Sequence, residues 1–73
     1  MKAANLKSKL NKMNVSFIEK VEQASIYFSI NNKNYEASVT ISGEVCSYCT
    51  GNYSKFEGRT FDNLKQVIKH ATR

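Results

Sequence analysis

Seventy-three residues, a 41% hydrophobic fraction and a net charge of +5 describe one small basic domain, with no room for a second core. A chain this short buries only about 60% of the surface its unfolded form exposes, which disfavours a deep, water-excluded active site, while its apolar fraction argues against full disorder. No apolar run approaches the roughly 20 residues that cross a bilayer, and Lys2 leads into a polar stretch unlike a secretory signal. Two cysteines are too few for a disulfide framework. The expectation is a soluble, cytoplasmic protein with reduced thiols and no membrane partner.

Residues 2–13 read as a helix, with Leu6, Leu10 and Met13 at i, i+4 and i+7 on one face. Lys9, Lys12 and Asn5 cluster on the other side, and Lys7 flanks the apolar stripe. Asn14 is the expected stop. A first strand follows over 15–21, with Val15, Phe17 and Val21 in phase and Glu19 in that same phase marking an edge. Next comes the strongest pattern in the chain: Ile26, Phe28 and Ile30, then Tyr35, Ala37, Val39 and Ile41, alternate on either side of Asn31-Asn32-Lys33-Asn34. Period-two alternation around an Asn-rich break is a β-hairpin signal. Ser42-Gly43 supplies the next turn, and residues 45–56 form one bent strand or two short ones hinged at Thr50-Gly51-Asn52, with a break at Gly58. The last helix is expected to start at Thr60 as N-cap, with Asp62 in its first turn. Its apolar face is Phe61, Leu64, Val67, Ile68 and Ala71. The sum is a single α+β domain over residues 1–73: a three- or four-stranded antiparallel meander sheet, with an N-terminal and a C-terminal helix packed on one face.

This order of elements resembles the double-stranded-RNA-binding-domain fold, α-β-β-β-α, and the small HicA-type mRNA-interferase toxins that share the plan. The toxin resemblance covers about the first 28 residues, from Met1-Lys2 through Leu6 and Leu10. It implies a Gly-Ser-His type segment on an early strand followed by an aromatic. The corresponding stretch, Ala24-Ser25-Ile26-Tyr27-Phe28, keeps the aromatic and has no histidine, so no base near neutral pKa is available for RNA cleavage by that route. The RNA-binding domains carry a Lys-Lys-x-Ala-Lys cluster at the start of the second helix. Here that segment is Thr60-Phe61-Asp62-Asn63-Leu64-Lys65, which leaves only Lys65 and Lys69 to meet phosphate.

Cys46 and Cys49 have metal-knuckle spacing, but zinc takes four ligands and the only histidine, His70, is far along the chain. On a strand an i, i+3 pair points to opposite faces, so ordinary half-buried cysteines are expected, with no metal and no cofactor. There is no Gly-rich phosphate loop, nucleophile elbow or paired carboxylate motif, and an enzyme is not expected. Tyr27 lies out of phase with Ile26 and Phe28 and belongs on the outer sheet face, where Tyr48 is expected to join it. Exposed aromatics there suit base stacking, cross-strand packing or a protein interface.

The charge pattern is the remaining signal. Lys2, Lys9 and Lys12 project from the first helix, and Lys65, Lys69 and Arg73 from the last. If the helices lie side by side, these ridges make one positive surface suited to a nucleic-acid backbone, RNA or DNA. The first expectation is therefore a non-enzymatic binding module with those six phosphate contacts. The alternative is a protein-interaction module or inhibitor of phage or mobile-element type, with Tyr27 and Tyr48 as anchors. A homodimer through an exposed sheet edge is a third expectation.

Overall fold

The computed structural model describes residues 1–51 and 59–72. Two helices, α1 (Ala3–Lys12) and α2 (Leu64–Ala71), bracket five strands: β1 (Phe17–Lys20), β2 (Ser25–Ile30), β3 (Lys33–Val39), β4 (Val45–Thr50) and β5 (Thr60–Phe61). The strands form one antiparallel meander in the order β1-β2-β3-β4-β5. The core fills the space between one sheet face and the two helices. Leu6, Leu10, Ile26, Phe28, Tyr35, Ala37, Tyr48, Phe61, Leu64 and Val67 are all buried there.

α1 ends as its sequence dictates. Asn14 takes a left-handed conformation, φ 58°, which asparagine tolerates better than most residues. Its amide donates to the Asn11 carbonyl, and the Val15 amide reaches back to Leu10 at 2.9 Å. This is a Schellman closure, with Val15 packing against the core that Leu10 occupies. Met13, expected on the buried stripe, is instead the C-cap and 38% exposed; the inner face of the short helix is Ala3, Leu6 and Leu10.

The central hairpin is tighter than the Asn-rich break suggests. Asn31 and Asn32 both have positive φ, 51° and 65°. Ile30 faces Lys33 directly, a two-residue turn of the I′ kind whose twist matches the strands. Lys33 and Asn34 therefore belong to β3. The hairpin end also grips α2: Asn31 Nδ2 donates to the Ala71 carbonyl at 2.9 Å and Lys33 Nζ to the His70 carbonyl at 3.1 Å. Inside the core, the Tyr35 hydroxyl lies 2.8 Å from His70 Nδ1.

Three expectations are corrected. Val21 is not in the first strand but in a 3-10 turn, Val21–Gln23, and is 77% exposed. β3 stops at Val39, because Thr40 opens a turn: its hydroxyl accepts the Glu44 amide and its own amide donates to the Glu44 carbonyl at 2.7 Å. Ile41 then sits fully exposed at the loop tip. Thr60 and Phe61 pair with Cys49 and Tyr48 as β5, so α2 starts later, with Asn63 as its N-cap. The Asn63 Oδ1 accepts the Gln66 amide at 2.9 Å, and Gln66 Oε1 accepts the Asp62 amide at 3.0 Å. That reciprocal pair satisfies two donors at the helix start. Asp62 consequently precedes the helix. The expected break at Gly58 and the path of residues 52–56 lie outside the described residues.

Candidate nucleic-acid interface

α1 and α2 lie on the same sheet face and leave a groove of about 330 Å³ between them. Its walls come from the last turn of α1 and the exposed flank of α2: Lys9, Lys12, Met13, Leu64, Lys65 and Ile68. The local sequence explains the placement. Leu6 and Leu10 turn inward, so the lysines one position before and two after Leu10 are carried to the rim. On α2, Leu64 is buried at the groove floor while the next residue, Lys65, is exposed.

Three of the six lysine and arginine candidates thus meet at one place. Among the described residues Lys9, Lys12 and Lys65 form no ion pair, so no described acid neutralises their charge. Lys9 and Lys12 also sit at the negative end of α1, which favours cations there.

The other candidates lie apart. Lys2 is drawn to the far end of α1, where it bridges to Glu44 in the sheet register and its Nζ lies 3.3 Å from the Glu44 carboxylate. No local pattern signals this pairing, since the partner is distant along the chain. Lys69 lines a separate shallow hollow with Arg59, Thr60, Phe61, Gln66 and His70. Arg59 there is a cation the sequence pattern does not single out, because it falls between the recognisable elements. Lys7, beside the stripe, holds Glu19 at 3.0 Å. Arg73 lies outside the described residues.

The two tyrosines separate. Tyr27 is on the outer sheet face, as expected, half-buried and donating its hydroxyl to Gln23 Oε1 at 2.9 Å. Tyr48 is not beside it. It faces Ala37 across the β3–β4 ladder and is 2% exposed in the core, edge-on to Phe28 at 6.4 Å. The cause is a register shift at Ser38/Val39: Val45 and Tyr48, three residues apart, both face the core, so strict alternation fails. Burial pushes the Tyr48 phenol pKa up.

Both cysteines are unbridged. Cys46 is exposed, with its thiol 3.4 Å from the Ser38 carbonyl. Cys49 lies opposite Glu36. Burial, and then the Glu36 carboxylate, raise its pKa, so it stays a thiol at neutral pH and is a poor nucleophile or ligand. Among the described residues no three His, Cys, Asp or Glu side chains converge as a metal site. No described helix is long and apolar enough to cross a membrane.

Fold and groove together define a two-helix α+β domain with a cationic cleft on its helical face. No family model, curated protein or solved structure matches the chain.

Proposed function

We propose that the protein is a non-enzymatic binding module that holds a nucleic-acid backbone in the groove between α1 and α2. The observation that carries this reading is the convergence of Lys9, Lys12 and Lys65 on one cleft with no acidic partner among the described residues. Three unpaired ammonium groups attract phosphates by releasing condensed counterions. The arrangement differs from that of double-stranded-RNA-binding domains, which gather their lysines at the start of the second helix on a three-stranded plan: this chain has five strands and supplies one groove lysine from α2 and two from α1. No arginine among the described residues lines the groove, so binding follows the backbone rather than the sequence of bases.

Lysine position separates this reading from general basicity. Lys9→Ala/Lys12→Ala/Lys65→Ala should weaken binding of labelled duplex RNA or DNA by at least about 30-fold at low salt, each contact contributing ~0.7 kcal/mol or more. Lys2→Ala/Lys7→Ala removes a similar type of charge from paired positions and should have little effect. Equal losses from both sets would reject the groove.

One observation favours a second reading. The groove floor is apolar, formed by Met13, Leu64 and Ile68, which suits an acidic protein segment with apolar anchors. On that reading Met13→Ser, at a 38% exposed position, weakens partner binding as much as the lysine variants do. On the nucleic-acid reading it has little effect.

A further inference from the structure

Of the two edge strands, β5 is two residues long and β1 is the longer at four. β1 has a neighbour on one side only, β2, so its other side presents unpaired amides and carbonyls among the described residues. Natural edges are guarded by short strands, proline, bulges, covering elements or charged side chains; β1 is four residues long and ends on an exposed Lys20, so it is guarded only in part. β1 has no proline, and its Glu19 carboxylate is drawn towards α1 by Lys7 at 3.0 Å. On the outer face an apolar row runs from Tyr27 to its register partner Ile18 and stops there, with Ile18 61% exposed. A groove of about 450 Å³ opens at the same place, lined by Ser16, Ile18, Lys20, Gln23, Tyr27 and Ser29 among others.

We propose that β1 pairs with β1 of a second copy of this chain, antiparallel about a two-fold axis, with Ile18 opposite Ile18. The register follows from charge and pleat. Keeping the helices of both copies on one side requires like faces to meet, so the axis passes through a residue of the strand. An axis at Glu19 sets two carboxylates face to face, and one at Lys20 sets two ammonium groups so; directly opposed like charges destabilise a ladder. An axis at Phe17 leaves Ile18 opposite Ser16. The axis at Ile18 places Lys20 opposite Ser16 and Phe17 opposite Glu19. It also continues the apolar row without a break, from Tyr27 and Ile18 of one copy to Ile18 and Tyr27 of the other.

The strand is short, so the interface falls below about 1,200 Å² and the association is weak and concentration-dependent. Its consequence is geometric: the sheet doubles in width, and both lysine grooves open on the same side. If the grooves hold nucleic acid, one duplex meets two of them, and the second contact becomes intramolecular. The dimer itself does not depend on that assignment.

Sedimentation of the wild-type chain from micromolar to millimolar concentration tests the proposal, with the weight-average mass expected to rise towards that of a dimer. Ile18→Lys places two ammonium groups across the axis and should raise the midpoint concentration at least about tenfold. Its thermal melt should stay close to wild type, because Ile18 is an exposed side chain. In a Cys46→Ser/Cys49→Ser background, Ile18→Cys should oxidise to a cross-linked dimer. Lys20→Cys should not, since the two copies of that position would be about 13 Å apart along the strands. A wild-type chain that stays monomeric throughout, or an Ile18→Lys variant that associates as well as wild type, overturns the dimer. Equal cross-linking from both cysteine positions overturns the register. Nucleic-acid binding by the Ile18→Lys monomer is read separately, so failure of the dimer and failure of the groove assignment remain distinguishable.

Discussion

Replacing Tyr48 with alanine should nearly unfold the protein, whereas the same change at Tyr27 should leave it standing. Tyr48 is 2% exposed and stands edge-on to Phe28, with ring centroids 6.4 Å apart. Deleting a buried aromatic side chain costs about 3–5 kcal/mol, from lost transfer energy and the cavity left behind. A chain of this length has a total stability of roughly 4–11 kcal/mol at the usual amount per residue. The variant therefore loses a large share of what holds it folded. In a domain of this size each kcal/mol moves the melting temperature by about 4–8 °C, so a fall of at least ~12 °C is expected. Tyr27 is half-buried on the open face and gives up one hydroxyl bond to Gln23. Losing that bond together with the half-buried part of the ring costs about 2 kcal/mol. Circular-dichroism melts of both variants, with urea titrations for free energies, make the comparison. A Tyr48→Ala melt within a few degrees of wild type would refute the placement of this ring in the core. The comparison also decides which tyrosine can probe a binding surface: ligand loss in a Tyr48 variant would report unfolding.

The raised pKa of Tyr48 carries a sign. Burial holds the folded phenol above its ordinary value of 10.0, so its contribution is intact below pH 10 and is lost as pH rises through the folded value, because the unfolded state releases the proton first. Tyr48→Phe should therefore show a shallower alkaline loss of stability than wild type in melts taken across pH 9–12. Thiol labelling should modify Cys46 before Cys49, since Cys46 is exposed while burial and Glu36 hold Cys49 protonated; peptide mass spectrometry at early times reads the order. Gly43 has φ 85°, and a methyl group on its Cα would meet no other atom within 4 Å. Gly43→Ala should thus cost about 1–2 kcal/mol from backbone strain alone, and Gly43→Asn less, in urea unfolding.

Much of the fold is written in local patterns. The alternation around Asn31-Asn32 specifies the hairpin because apolar phase and turn chemistry agree there, and Asn14 marks the helix end because it accepts a left-handed backbone. Local reading fails where tertiary pairing overrides local signals. Thr60 looks like a cap, yet β4 recruits it and Phe61 into the sheet, and Asn63 caps the helix instead. Strict alternation puts Tyr48 on the wrong face because the shift at Ser38/Val39 changes the phase of β4, and a bulge has no reliable mark in a sequence of this kind. The site is legible to the extent that helical spacing carries charge. Lys9, Lys12 and Lys65 follow from the wheel once the helices are adjacent. The pairing of Lys2 with Glu44 does not, since it depends on the N-terminus docking at the β3–β4 turn, where the Ala3 amide donates to the Gly43 carbonyl at 2.8 Å.

The most direct test of the groove is the salt dependence of binding to duplex DNA by fluorescence anisotropy, for wild type and for Lys9→Ala/Lys12→Ala/Lys65→Ala. Each phosphate neutralised adds about 0.9 to the slope of log affinity against log salt. The wild-type slope should be about −2.7 or steeper, and the variant should lose ~2.7 of that steepness. A wild-type chain that does not bind even at low salt, or a variant that keeps the full slope, would contradict the assignment of this groove to a nucleic-acid backbone.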